Sequence, residues 1–124
     1  DEYRLPWLAL AQVDHPSGPA DYATIKISNN LYQAGYNPSM AAIAGRLVIS
    51  YRSLATAPDG LPRPIVWRAL APYPETPEDF AYNVMLDVPS VDFSPIPISD
   101  AGDRINLFVQ VQGGVNYLHP DGPW

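Results

Sequence analysis

A stretch near the end of the chain, residues 104–112, alternates between apolar and polar side chains and constrains the fold most strongly. Its apolar face is formed by Ile105, Leu107, Val109 and Val111. Its polar face is formed by Arg104, Asn106, Gln110 and Gln112, with Phe108 as an apolar exception. A period of two over this length predicts an antiparallel strand with one face in a core and the other in water. Because the stretch contains no proline, it suits the interior of a sheet.

The 15 prolines of the 124-residue chain lie mostly between apolar runs rather than within them. They therefore separate short strands and do not form a proline-rich linker. Further strands are predicted over residues 22–28, 46–54, 65–70, 80–86, 91–98 and 115–118. A set of about seven strands with turn signals between them is typical of an antiparallel β-sandwich. The sequence indicates one domain over residues 14–124 and shows no internal repeat.

The N-terminal segment, residues 1–13, is apolar and open to two interpretations. Leu8 to Ala11 are good helix formers and Pro6 suits a first helical position, so we favour a short helix or arm. A strand with Pro6 at an exposed edge is the alternative. The apolar side chains of this segment include Leu5, Trp7, Leu8 and Leu10. Because exposed apolar termini need a cover, we expect these residues to form a homodimer interface across a two-fold axis.

The composition excludes several classes of function. The net charge is −6 and there is no basic cluster, so binding to nucleic acid or to an anionic membrane surface is not expected. No window approaches 18 apolar residues, so we expect no membrane insertion. Cysteine is absent, which excludes disulfides and thiolate chemistry. Only 16% of the residues are charged, so the surface must be largely polar and uncharged, as suits sugar contacts or packing in an assembly.

Candidate catalytic and metal-binding residues have structural interpretations that are more common. His15 and His119 each lie beside proline in a predicted loop, and Asp100 and Asp103 flank a turn-forming Ala-Gly pair. Nucleophile elbows, phosphate-binding glycine loops and zinc-helix motifs are missing from the sequence. A glycosidase with two converging carboxylates stays open, because any two acidic residues can meet in a fold. We therefore expect no enzyme activity, no metal and no cofactor.

Aromatic residues are the remaining candidates for ligand binding. Their flat faces stack on sugar rings, while amides and carboxylates bind the hydroxyl groups. Several aromatic residues, Tyr73 among them, lie in or near predicted loops and chain ends. The predicted ligand-binding residues are Tyr32, Tyr36, Tyr117 and Trp124.

Several segments resemble the small fungal immunomodulatory proteins. These are residues 3–7 (Tyr-Arg-Leu-Pro-Trp), residues 45–54 around Arg46, residues 99–109 with an Ala-Gly-Asp turn before Phe-Val, and Trp124. The resemblance implies an immunoglobulin/fibronectin-III-like sandwich, dimerisation through the N-terminal segment, and secreted, lectin-like binding to cell-surface glycans or glycoproteins. The chain departs from that family in residues 14–21, where the family's tryptophan is missing. The alternative function is a structural assembly subunit of the viral capsid or phage tail type.

Overall fold

The computed structural model describes residues 7–28, 35–56, 58–83, 96–99, 105–111 and 113–118. The strands in these ranges are β1 (Trp7–Ala11), β2 (Tyr22–Lys26), β3 (Gly35–Ile43), β4 (Arg46–Thr56), β5 (Pro62–Ala69), β6 (Phe80–Asn83), β7 (Ile96–Ser99), β8 (Ile105–Val111) and β9 (Gly114–Leu118). Every pairing among them is antiparallel. The all-β antiparallel sandwich predicted from the sequence is confirmed.

The strands form three sheets, and hydrogen-bonded neighbours follow one another in the chain. The N-terminal sheet is β1–β2, the middle sheet is β3–β4–β5–β6, and the C-terminal sheet is β7–β8–β9. The described strands are therefore joined as hairpins within each sheet, whereas immunoglobulin domains use Greek-key connections between sheets.

The middle sheet is buried on both faces. Side chains on one face, including Ile49, Tyr51 and Trp67, pack with Leu8 and Ile27 of the N-terminal sheet region. Side chains on the other face, Val48 and Val66, pack with Ile105 and Val109 of β8. The molecule is thus a stack of three layers, which explains why β5 is a nearly continuous buried run rather than an alternating one.

The N-terminal segment is a strand over Trp7–Ala11, so the short helix favoured from the sequence is wrong there. Leu8 pairs with Ile25 and Leu10 with Ala23, which gives the segment a period of two. Leu8 and Leu10 both point towards the middle sheet. Burial against that sheet and pairing with β2 override the intrinsic helix preference of the Leu-Ala run.

Strand β3 was missed in the sequence because Gly35 to Pro38 resemble a turn. The structure shows an irregularity within a strand instead, since the β3–β4 register shifts between Tyr36 and Ser39. Asn37 adopts a φ of 55°, a left-handed conformation that asparagine tolerates. The turn signal in this segment therefore marks a β-bulge.

The prediction for β8 holds in part. Ile105 and Val109 are buried as expected, and Phe108 is exposed. The side chains of Leu107 and Val111 lie outside the described residues. Asn106 is fully buried, so the assignment of its side chain to the water-facing side is wrong: this face of the strand is covered at that position.

Two loops of the molecule share one hydrogen-bond pattern. The Gln12 N–H donates to the Asp21 carbonyl at 2.7 Å, and the Leu70 N–H donates to the Asp79 carbonyl at 2.7 Å. Each loop ends in a 3₁₀ turn, Pro19–Asp21 and Pro77–Asp79. Each turn leads directly into a strand, β2 or β6. Strand β2 pairs with β1 in the same relative register as β6 pairs with β5. Ala11 is opposite Tyr22 in one hairpin, as Ala69 is opposite Phe80 in the other.

In the sequence, corresponding residues of the two loops are 58 positions apart, as Asp21 and Asp79 are (79 − 21 = 58). Residues identical at this offset include Pro6 and Pro64, Ala11 and Ala69, Pro16 and Pro74, Pro19 and Pro77, Asp21 and Asp79, and Ala23 and Ala81. In the following hairpins, Arg46 and Arg104 are identical at this offset, whereas the Ala-Gly pairs before them, at 44–45 and 101–102, are 57 positions apart. Met40 lies opposite Ile49 in one hairpin and Pro97 opposite Leu107 in the other, so the first strands of these hairpins correspond at an offset of 57 and the second strands at 58.

The order of strands therefore repeats as two four-stranded units. The sequence prediction of no internal repeat is wrong for the loops that precede β2 and β6, which share one hydrogen-bond pattern. The first unit is β1–β4 and the second unit is β5–β8. The middle sheet takes two strands from each unit, with β4 of the first paired to β5 of the second. Leu47 and Tyr51 of β4 face the preceding sheet, and so do their counterparts Ile105 and Val109. Equivalent strands of the two units therefore lie one layer apart in the stack.

Candidate functional site

A cleft of about 500 Å³ is lined by residues of the N-terminal and middle sheets and of the loop between β5 and β6. The end of β1 supplies Leu10, Ala11 and Gln12. The β3–β4 hairpin supplies Ala42 and Leu47 beside a two-residue turn, Ala44–Gly45, in which both residues have positive φ. The loop between β5 and β6 supplies residues 72–75. The cleft is thus built from both units.

The loop that carries Tyr73 is fixed by Asp79. The Asp79 carboxylate accepts hydrogen bonds from the N–H groups of Glu75 and Thr76 at 2.8 and 2.9 Å, and from the Thr76 hydroxyl. The hydrogen bond from the Glu75 N–H is the main cause of the lowered pKa of Asp79. Prolines on both sides of Tyr73 restrict the backbone further. The Tyr73 side chain is 83% exposed, so its ring is presented to solvent on an ordered support.

The cleft is lined by both apolar and charged side chains. Leu10, Ala42 and Leu47 line the apolar part, while Arg46 and Glu75 supply one positive and one negative charge. The Arg46 guanidinium donates to the neighbouring Gly45 carbonyl at 3.2 Å. Such a surface suits a neutral ligand with apolar and hydroxyl faces, or an extended peptide.

The cleft adjoins the outer edge of β1. Because the Gln12 N–H bonds to β2 and bonded pairs alternate along an antiparallel ladder, the backbone groups of Trp7, Ala9 and Ala11 point away from β2. Among the described strands, β2 is the one neighbour of β1.

The residues predicted to bind a ligand are not brought together by the described structure. Tyr32 and Trp124 lie outside the described residues. Tyr36 lies on β3 and Tyr117 on β9, and their side chains are outside the description as well. The ligand patch of these four residues stays a prediction. Tyr73 was considered only as one of several loop aromatics, and its flanking prolines were the signal that singles it out.

The residues predicted for a dimer interface differ in their surroundings. Leu8 is buried in the core of its own chain and Leu10 packs against that core. Trp7 is 53% exposed, and the Lys26 ammonium lies 5.2 Å from its ring centroid in a cation–π contact. Leu5 lies outside the described residues. The homodimer stays a prediction, with Trp7 as the exposed member of the set in the described structure.

The described part of the chain contains no group of three or more His, Cys, Asp or Glu side chains placed to hold a metal ion. His15 is exposed, while Asp100, Asp103 and His119 lie outside the described ranges. None of the helical segments within the described ranges is long and apolar enough to cross a membrane.

Comparison with protein-family models, with curated proteins and with solved structures found no match to this chain. The resemblance to fungal immunomodulatory proteins therefore stays a hypothesis based on the segments quoted above.

Proposed function

We propose that the chain is a non-enzymatic structural module whose units build β-sheet layers in an assembly. The observation that carries this proposal is the composition of the middle sheet, in which β4 of one unit pairs with β5 of the next. A layer is complete only when two units contribute to it. This is the behaviour of repeat proteins, in which a unit cannot bury its apolar faces alone.

The exposed faces at the two ends of the stack support the same function. The outer face of the N-terminal sheet carries Trp7 and Tyr22, both exposed. The outer face of the C-terminal sheet carries Phe108 and Val115, also exposed. In the middle sheet, the corresponding faces are covered by neighbouring layers. Large exposed apolar side chains at both ends are therefore surfaces for further contacts.

Sedimentation velocity tests this proposal. We expect the full chain to associate as its concentration rises to about 100 µM, a range typical of weak specific contacts. The variants Trp7→Ser and Phe108→Ser should weaken association. Leu70→Ser is the matched control, because Leu70 is exposed on a loop rather than on an end face. A chain that stays monomeric throughout the range contradicts the proposal.

A second candidate function, lectin-like carbohydrate binding, is favoured by the cleft beside Tyr73. An exposed aromatic ring on a fixed loop can stack on a sugar, and Arg46, Glu75 and Gln12 can bind hydroxyl groups. The finer features, namely cell-surface glycans, secretion and immunomodulation, are supported by the family resemblance alone, and a homodimer is supported by that resemblance and by the apolar N-terminal segment.

A glycan screen tests the carbohydrate proposal. We expect Tyr73→Ala to weaken binding by about tenfold or more, because stacking on an aromatic ring contributes on the order of 1 kcal/mol or more. Tyr22→Ala is the control, since Tyr22 is exposed but does not line the cleft. Equal losses for the two variants, or no binding by the parent chain, would contradict a saccharide site here.

A further inference from the structure

We propose that the chain associates head to tail, with the outer face of the C-terminal sheet of one copy packed on the outer face of the N-terminal sheet of the next. The occupant of each end face is therefore a second copy of this chain. The contact rests on the proposed assembly function and specifies which two surfaces meet in it.

The outer face of the N-terminal sheet corresponds to a covered face of the middle sheet. Strands β1 and β2 pair in the same relative register as β5 and β6, at an offset of 58 residues. The outer-face residues Trp7, Ala9, Ala11 and Tyr22 therefore correspond to Ile65, Trp67, Ala69 and Phe80. All four counterparts are 6% exposed or less and pack in the cluster that contains Leu8 and Ile27 of the preceding layer. Tyr22, by contrast, is 41% exposed.

The outer face of the C-terminal sheet has a covered counterpart as well. Phe108 of β8 corresponds to Ser50 of β4 (108 − 50 = 58). Ser50 is fully buried, on the same face of β4 as Val48, which packs against the C-terminal sheet. Phe108 is 38% exposed, and Val115, on the same outer face, is 67% exposed. Each end of the stack therefore shows a face whose counterpart in the middle sheet is covered by a neighbouring layer.

The contacts between layers inside the stack share one direction. The middle sheet packs on the N-terminal sheet with one face and on the C-terminal sheet with the other. Each contact thus joins the following face of one layer to the preceding face of the next. A contact between copies in the same direction joins the C-terminal end of one chain to the N-terminal end of another. Such a heterologous contact leaves one face open at each end, so that further copies can add in line.

Charge favours this contact over a two-fold pairing of N-terminal faces. Strands β8 and β9 contain no charged residue, and β1 and β2 contain one, Lys26. A two-fold pairing would place two Lys26 ammonium groups in one interface, and neither β1 nor β2 has an acidic residue to pair with them. Like charges in one interface are unfavourable, whereas the C-terminal sheet brings no charge against Lys26.

Complementary variants of the full chain test the contact in sedimentation velocity. Tyr22→Arg places a charge on the N-terminal outer face and Val115→Arg places one on the C-terminal outer face, both at exposed positions. Because every contact uses one face of each kind, either variant alone should raise the dissociation constant at least about tenfold. An equimolar mixture should form dimers and nothing larger, since each variant keeps the one intact face that the other needs.

Leu70→Arg is the matched control. Leu70 is 54% exposed on a loop away from both end faces, so this variant should associate as the parent chain does. Circular dichroism checks that each variant is folded. Where one is not, Thr24→Arg takes its place on the N-terminal face and Phe108→Arg on the C-terminal face, since both positions are exposed.

The outcomes separate this contact from the assembly function. Association of either folded variant alone to the extent of the parent chain overturns the head-to-tail contact. Loss of association in both variants without dimers in their mixture overturns it as well. In both cases the association of the parent chain still supports the assembly function. A parent chain that stays monomeric up to about 100 µM contradicts the assembly function and this contact together.

Discussion

Replacement of Val109 by alanine tests whether the C-terminal sheet is packed on the middle sheet. Val109 has 0% exposure and contacts the cluster that contains Val48 and Val66 of the middle sheet. The change removes two methyl groups, each worth about 0.8 kcal/mol of burial, and leaves a small cavity between two layers. We expect the free energy of unfolding to fall by about 1–3 kcal/mol.

Val115→Ala is the matched control for this measurement. Val115 lies in the same sheet but is 67% exposed. Both substitutions lower the strand propensity in a similar way. The difference between their changes in the free energy of unfolding therefore gives the effect of burying Val109. We expect Val115→Ala to change the stability by about 0.5 kcal/mol or less.

Urea unfolding followed by circular dichroism gives both values, provided that the slope of free energy against urea is unchanged. Equal effects of the two substitutions would refute the layered packing, because a solvent-exposed Val109 would behave like Val115. Val109→Asp should prevent folding altogether, since it would place an unpaired charge between the layers.

Three further outcomes follow from the backbone and the loops. Gly35→Ala should destabilise the fold by about 1–3 kcal/mol in urea unfolding, because a Cβ at Gly35 would collide with the Tyr51 ring and the Arg52 carbonyl oxygen. Ala44→Asn should raise the melting temperature, because Ala44 has a φ of 51° that asparagine adopts at lower cost; a lower melting temperature would contradict the assignment of this turn. The lowered pKa values of Asp21 and Asp79 mean that their contribution is present above the ordinary value of 3.8 and is lost as pH falls through the folded pKa values. Acid titration should therefore show a loss of stability below about pH 4, and Asp79→Asn should make that loss shallower than in the parent chain.

The sequence predicts the strands best where alternation is strong. The run around Val109 and the segment from Arg46 to Leu54 were both identified, because period two is a local property. In β4 the alternation was interpreted as one buried face, whereas Val48 and Ser50 on the other face are buried as well. Alternation within one strand cannot show that a second sheet packs on the other face, because that packing depends on the tertiary structure.

Other elements were missed because the local signal pointed elsewhere. In β1, helix propensity and a period of two coexist in the Leu-Ala run, and only the partner strand decides between them. In β3, Asn37 and Pro38 give a turn signal that is satisfied by a bulge. The repeat escaped notice because the conserved positions of the two loops are few, although Pro19 and Asp21 recur as Pro77 and Asp79 at a fixed offset.

The layer-to-layer relation between the two units sets a spacing for whatever their loops carry. Stacked sheets lie about 10 Å apart, so equivalent loops recur at that interval along one side of the stack. The backbone of the loop is held in both units by an aspartate, Asp21 or Asp79, while the position that is Tyr73 in one loop is His15 in the other. The support of the loop is therefore the same in both units, while the side chain that it presents differs, histidine at position 15 and tyrosine at position 73.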